Sequence, residues 1–221
     1  MKVLPPDSEI VLMERAAAMA GKTLQQLANL RQTVLPEVLT GAKGLIGELL
    51  EDYLGANAGS LPEPDFRKIG VELKTLPIGQ NGKPRESTFV CTVSLLPGDS
   101  PCWKDSLVKR KLSRVLWVPI EADAAIPLSQ RRIGTAILWS PNQAQEKILH
   151  QDWDELMNMV MMGQLDKITA RYGKYLQIRP KALNARSLRP GINADGEIIK
   201  TLPRGFYLRT SFTASILKKS E

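Results

Sequence analysis

The chain has 221 residues, enough for one large domain or for one domain with two lobes. Its hydrophobic content of 43% and charged content of 24% exclude a disordered or fibrous protein. Lys and Arg number 30 against 23 Asp and Glu, a net charge of +7, and the two cysteines lack metal-ligand spacing, which excludes a disulfide framework and a zinc site.

The sequence carries no pattern typical of secretion or membrane insertion. Pro5, Pro6 and Asp7 interrupt the apolar core that a signal peptide needs. No apolar run approaches the ~20 residues of a membrane span. We therefore expect a cytoplasmic protein.

Three helices are predicted in the first part of the chain. Ser8 can cap a helix that runs to about Met19, because apolar residues recur there near helical spacing. Thr23 and Gln26 form a capping-box pattern that opens a second helix. A third helix is predicted over Leu45–Leu54, whose apolar residues follow the i, i+3/i+4 rule.

After the third helix, hydrophobic residues recur at every second position instead of at helical spacing. The segment from Ile69 to Leu76 alternates and predicts a strand whose core face carries Ile69, Val71 and Leu73. Glu72 and Lys74 project together from the opposite face, because residues i and i+2 of a strand share a face.

The remaining segments predict a mixed α/β (α+β) fold, with helices first, a small sheet in the middle and a basic lobe at the end. A second strand is expected over Ser87–Leu95, a helix over Lys104–Arg114 and a buried strand over Val115–Ile120. An amphipathic helix is expected over Leu149–Met162, with its acids on the exposed side: Asp152, Asp154 and Glu155.

Positive charge is concentrated near the end of the chain. The segment from Lys167 to Arg209 holds ten basic and two acidic residues, so it carries +8 while the rest sums to −1. This distribution favours a polyanionic partner such as nucleic acid, although a solvated basic surface would have the same composition.

Asp65, Glu72 and Lys74 form the group of side chains that indicates a catalytic site. Two carboxylates at one end of a strand suit a hard cation such as Mg²⁺, and a neighbouring amine can orient an attacking water. The alternative is a strand with an exposed, salt-bridged face. Glu51 is a further acid on the polar side of the third helix, where a solvated helix face is the simpler interpretation.

Segments along nearly the whole chain resemble, in the same order, the MutH family of methyl-directed mismatch repair endonucleases and its restriction-endonuclease relatives. The matching segments are Gly44–Glu51, Leu54–Ser60, Asp65-Phe66, Gly70–Pro77, Thr88–Val90, Lys111-Leu112, Val115–Trp117, Ile168–Arg171 and Thr201–Leu208. The resemblance implies a restriction-endonuclease-like core, with a small central mixed sheet flanked by helices and two lobes forming a DNA-binding cleft. A catalytic lobe over about 1–125 and a basic, DNA-reading lobe over about 126–221 are expected within one domain.

The resemblance also implies roles for individual residues. Asp65, Glu72 and the backbone carbonyl of Leu73 are expected to bind Mg²⁺, Lys74 to act on the water and Glu51 to complete the acidic site. Lys111 matches a lysine that contributes to activity, and the alternative is one charge of a basic helix with Lys109, Arg110 and Arg114.

By the same resemblance, the substrate is double-stranded DNA with a hemimethylated GATC sequence, nicked on the unmethylated strand. DNA contacts are expected from Lys43, Arg179, Pro180, Lys181 and Tyr207. Plain phosphate binding is the alternative for Arg179 and Lys181, and core packing beside Phe206 is the alternative for Tyr207.

MutL and MutS are the implied protein partners, and a monomer is expected. Two other functions remain open: a restriction endonuclease that cuts both strands at GATC, and a DNA-binding module of the same fold that does not cleave. The sequence departs from the family pattern at Thr40–Ala42, Leu45 and Glu48, and it lacks a longer apolar tail after Ile216. These departures lie outside the catalytic residues.

Overall fold

The structure is a computed structural model that describes residues 3–36, 44–96, 102–181 and 187–218. Within these ranges the helices are α1 (Glu9–Met19), α2 (Leu24–Arg31), α3 (Leu45–Leu54), α4 (Leu107–Leu112), α5 (Gln143–Met161) and α6 (Thr210–Lys218). The strands are β1 (Glu72–Ile78), β2 (Thr88–Thr92), β3 (Val115–Glu121), β4 (Ile137–Trp139), β5 (Leu176–Pro180), β6 (Arg189–Ile192), β7 (Ile198–Thr201) and β8 (Arg204–Leu208). This confirms the predicted mixed α+β class.

The chain divides into two compact units. The first comprises Met1–Glu86, Ser113–Ser140 and Ile216–Glu221, and the second comprises Ser87–Leu112 and Pro141–Ser215. The expected catalytic and DNA-reading lobes, with their cleft, stay a prediction.

In the first unit, α1, α2 and α3 share a core with one face of a three-stranded sheet. β1 runs parallel to β3, and β4 runs antiparallel to β3 on its other side. Val71 and Leu73 belong to this core, as predicted, and Ile69 packs against it. Burial of these apolar side chains is the main force that holds the helices on the sheet.

The predicted helix ends are confirmed because they depend on local hydrogen bonds. The Ser8 hydroxyl accepts from the Val11 amide at 3.3 Å, and Thr23 and Gln26 form the reciprocal capping box. α3 has the predicted bounds, and Gly55 follows it with φ 88°, where an added Cβ would lie 2.6 Å from the carbonyl oxygen of Leu4.

The first strand was predicted three residues too early. β1 begins at Glu72, because Ile69 and Gly70 form a tight turn in which Gly70 has φ 65°. The Phe66 amide donates to the Val71 carbonyl at 2.9 Å across this turn. The alternating pattern is therefore correct for the faces of the side chains, although its first residues lie in a turn.

Three other boundaries differ from the prediction. β2 is shorter than Ser87–Leu95, and the helix expected over Lys104–Arg114 is a 3₁₀ turn (Trp103–Asp105) followed by α4. α5 begins earlier than expected, since Asn142 and Gln145 form a capping box at its start.

The expected exposure of Asp152 is wrong. This side chain is 6% exposed and faces the interior of the second unit. There, β8 lies between β2 and β5 in an antiparallel sheet, and β6 and β7 form a separate hairpin. The Asp152 carboxylate accepts backbone N–H bonds from Lys174, Tyr175 and Leu176, at 2.8, 2.6 and 2.8 Å, and so fixes the start of β5.

Cys91 is buried, whereas Cys102 is exposed. His150 lies on the exposed surface of α5, and its ring stacks on Trp103. Among the helices that the structure describes, none has the length and apolar character to cross a membrane.

An ion pair in the first unit gives a testable pH dependence. The Arg114 guanidinium donates two bonds to the Glu9 carboxylate, at 2.7 and 2.6 Å, and these bonds hold the pKa of Glu9 below its ordinary value. A carboxyl group with a lowered pKa stabilises the fold above its unfolded pKa, and this contribution disappears as the pH falls through the folded pKa.

We expect Glu9→Gln to lower the free energy of unfolding by at most about 1 kcal/mol at neutral pH, because the pair is partly exposed. The difference from the unchanged protein should shrink as the pH falls below the ordinary pKa of glutamate and vanish below the lowered folded pKa of Glu9, as measured by urea unfolding at neutral pH and over a series of acidic pH values. Glu14→Gln, which lies on the same helix, is the control. A Glu9→Gln effect that persists at acid pH would contradict this role.

Candidate active site and DNA-reading surface

Glu72 and Lys74 lie on one face of β1 and form an ion pair, with 2.5 Å between Nζ and Oε1. The Glu72 side chain is 1% exposed and that of Lys74 is 14% exposed. The Glu72 amide donates to the Arg114 carbonyl at 2.9 Å, which fixes the first residue of β1 against the start of β3. The predicted shared face is thus present, although it is buried rather than solvent-exposed.

Asp65 lies beside the start of the same strand. Its Oδ2 accepts from the Leu73 amide at 2.8 Å, which places the Asp65 carboxyl next to the residue between Glu72 and Lys74. The Asp65 backbone carbonyl also accepts from the Asn57 amide at 2.9 Å, and this bond holds the loop after α3 beside Asp65. A role of the Leu73 carbonyl as a metal ligand stays a prediction.

Glu51 in α3 lies within electrostatic reach of these residues. Burial raises the pKa of Glu51 above its ordinary value, and the Asp65 charge raises it further, while Lys74 acts in the opposite direction. Glu72 and Glu48 add smaller upward effects. Glu51 is half-buried, and its carboxyl group experiences the same acidic cluster, while its part in the site stays a prediction.

The residues of this cluster suit a hard divalent cation. Carboxylate and carbonyl oxygens are the ligands that Mg²⁺ prefers, and repulsion among neighbouring acids is relieved by a cation. Within the described ranges, no group of three or more His, Cys, Asp or Glu side chains is arranged to hold a metal ion. Two side-chain ligands would leave the remaining positions to the backbone, water and a substrate phosphate, as Mg²⁺ commonly requires.

Two more of the predicted lysines are Lys111 and Lys43. Lys111 is half-buried in α4, which belongs to the second unit, and its part in catalysis stays a prediction. Lys43 lies outside the described residues.

The predicted DNA-contacting residues of the second unit gather on the sheet β2-β8-β5. Tyr207 pairs with Phe89 on one side and with Gln177 on the other, so its ring and the Arg179 side chain share a face. Phe206 is 3% exposed and faces the opposite side, so Tyr207 is not a core residue beside it. Pro180 is exposed on β5 and pairs with Arg204.

Aromatic rings and cations alternate across this face. The Phe89 and Tyr207 rings meet edge-on, with centroids 5.3 Å apart, and Lys181 Nζ lies 3.5 Å from the Phe89 centroid. Arg179 lies 5.6 Å from the Tyr207 centroid and donates to the Ser87 hydroxyl at 2.5 Å. We call these residues the aromatic–cation cluster: Ser87, Phe89, Arg179, Lys181 and Tyr207.

Sequence reasoning missed the place of Ser87 and Phe89 in this cluster. Phe89 was noted only as part of a matching segment, because nothing local shows which strand β2 will pair with. The register that sets Phe89 against Tyr207 joins residues more than 100 positions apart. A local signal was present in the alternation of β2, which separates Phe89 from the buried Thr88 and Val90.

Several known proteins are similar to this chain in sequence. The family model "DNA mismatch repair enzyme MutH" matches residues 54–152. The DNA mismatch repair protein MutH of Escherichia coli O6:K15:H31 is 52% identical over 215 residues, covering 97% of this chain and 94% of the relative. The MutH proteins of Escherichia coli O139:H28 and O157:H7 have the same identity and coverage.

The mixed α+β fold, the acidic site with its lysine and these matches define the class of protein: a DNA mismatch repair endonuclease with a restriction-endonuclease-like fold. More specifically, the chain belongs to the MutH family. Membership of this family implies a divalent metal cofactor.

Proposed function

We propose that the protein is a Mg²⁺-dependent endonuclease that nicks the unmethylated strand of DNA at hemimethylated GATC sequences. The observation that carries the proposal is the ion pair of the buried Glu72 with the partly buried Lys74, with the Asp65 carboxyl group at the adjacent Leu73 amide. Burial of the Glu72 carboxylate, with a partly buried acid and a partly buried amine beside it, is costly for a merely structural strand, but it suits a site that holds a cation against phosphate.

Asp65, Glu72 and the Leu73 carbonyl would hold the metal ion. When bound, Mg²⁺ lowers the pKa of coordinated water and neutralises charge that develops on the phosphate oxygens. Lys74, whose Nζ lies at the Glu72 carboxylate, would donate to the attacking water and orient it toward phosphorus. Glu51, which lies within electrostatic reach of Asp65 and Glu72, would complete the acidic site.

Lys111 would approach a phosphate of the DNA backbone. Arg179 and Lys181 are exposed and would donate to phosphates or base edges, which position the duplex and read its sequence. Tyr207 and Pro180 would lie against the adenine N6 position, where an added methyl group would overlap them. Lys43 would add a further contact.

Family membership also supports a proposal about the protein partners, the oligomeric state and the compartment of the enzyme. MutL and MutS are the proposed partners, and the enzyme would act as a monomer in the cytoplasm. One active site in a monomer favours a nick over a double-strand cut, which separates this function from that of a restriction endonuclease.

The test is a nicking assay on plasmids with one GATC site that is unmethylated, hemimethylated or fully methylated. We expect nicks in the unmethylated strand when Mg²⁺ is present, no cleavage when it is chelated, and little cleavage of fully methylated DNA. If one binding event cuts both strands and yields linear plasmid, the function is that of a restriction endonuclease instead. Binding of the duplex without any cleavage would support the non-cleaving module.

A further inference from the structure

We infer that Gly205 is a specificity-determining position: the missing side chain lets Phe89 and Tyr207 close over the strand, and this closure orients Tyr207 for methyl discrimination. The inference rests on the proposed function, because it concerns how the same enzyme separates methylated from unmethylated adenine.

Gly205 lies within β8, the central strand of its sheet, between β2 and β5. Glycine weakens a strand interior, since it packs no side chain and loses the most backbone freedom on folding. Its backbone is not in the left-handed region that favours glycine. Conformation alone therefore does not explain why glycine stands at this position.

The packing above Gly205 gives the explanation. A Cβ at this position would lie 2.8 Å from Cε2 of Phe89 and 3.1 Å from Cε2 of Tyr207. The two rings thus occupy the space that any side chain would fill. Their edge-to-face contact directly above the strand exists because residue 205 has no Cβ.

The same two rings support the cations of the cluster. Lys181 lies over Phe89, and Arg179 lies over Tyr207 while also bonding to Ser87. A methyl group on Gly205 would push the rings apart and would carry both cationic contacts with them. The atoms that the methyl group meets are the far ends of rotatable side chains, so the rings can move without unfolding the sheet.

These facts predict an uncommon combination for Gly205→Ala: a fold that is retained and a reading surface that is displaced. Gly191→Ala is the matched control. Gly191 lies in β6 of the same unit, and its added Cβ would also meet a side-chain atom at 2.8 Å, the Cγ2 of Thr201. Its neighbours are not members of the aromatic–cation cluster.

The experiment measures nicking of hemimethylated and fully methylated GATC duplexes by the full chain with Mg²⁺, together with thermal unfolding by circular dichroism. We expect Gly205→Ala to lower the ratio of the two rates by about tenfold, because the loss of one good contact to a base edge changes discrimination by roughly this factor. Gly191→Ala should keep the unchanged ratio, and both variants should fold.

Each outcome decides the inference. If the unchanged protein discriminates and Gly205→Ala discriminates equally well, the inference is overturned while the proposed function stands. If Gly205→Ala does not fold, Gly205 is a structural glycine and the inference is also overturned. If the unchanged protein cuts both duplexes at the same rate, the proposed strand discrimination fails and the inference fails with it.

Discussion

Replacement of Lys74 by Met, or of Glu72 by Gln, should reduce the rate of DNA nicking by roughly 10²–10⁴-fold, the usual contribution of a positioned acid–base group or a metal-bound water. Glu72→Gln removes one of two acidic ligands proposed for Mg²⁺. Lys74→Met keeps most of the apolar stem of the lysine and removes only the amine that lies 2.5 Å from Glu72.

DNA binding should respond differently from cleavage. Glu72→Gln removes a negative charge from a site that must lie near a DNA phosphate, so binding in the absence of metal should be unchanged or tighter. Lys74→Met should weaken binding only modestly, because the enzyme has many other cations. Rates from single-turnover nicking and affinities from fluorescence anisotropy separate the two effects.

Lys83→Met is the matched control for Lys74→Met. Lys83 is exposed in the turn between β1 and β2 and belongs to the same unit as the candidate site. Its loss should leave nicking unaffected. Because Lys74 pairs with a buried carboxylate, circular dichroism must show that Lys74→Met is folded at the assay temperature. If the folded Lys74→Met variant nicks DNA at the same rate as the unchanged protein, the proposed role of the Lys74 amine is wrong.

Asp152→Asn should destabilise the protein by about 3–4 kcal/mol, a large loss for one substitution that keeps the shape of the side chain. The carboxylate accepts three backbone N–H bonds from Lys174, Tyr175 and Leu176 while only 6% exposed. Asparagine offers one acceptor oxygen and directs an NH₂ group toward an N–H donor. Buried donors that lose a charged acceptor are costly to the folded state.

The Asp152→Asn substitution should also disturb the proposed DNA-contacting residues of β5. Leu176 opens β5, and Arg179 follows three residues later in the same strand. A looser start of β5 should weaken DNA binding even where the variant is mostly folded.

Asp154→Asn is the control, because Asp154 lies on the same helix but is 51% exposed and pairs with His150. Its effect should stay within about 0.5 kcal/mol. Urea unfolding measures both variants, and similar destabilisation by the two substitutions would refute a special role for Asp152.

The sequence by itself determined the features that depend on neighbours in the chain. Helix caps at Ser8 and Thr23 are satisfied by residues three positions away, so their patterns predict the helix ends correctly. The shared face of Glu72 and Lys74 follows from the period of a strand and is likewise local. The resemblance in ordered motifs identified the family.

The tertiary structure alone decided the features that depend on distant partners. Asp152 has the pattern of an exposed helix residue, but its three amide donors lie 22–24 positions further along the chain. Glu51 is electrostatically part of the acidic site only because α3 packs beside β1. Phe89 and Tyr207 meet over Gly205 because strand register joins segments that are far apart in sequence, and periodicity within one segment carries no information about that register.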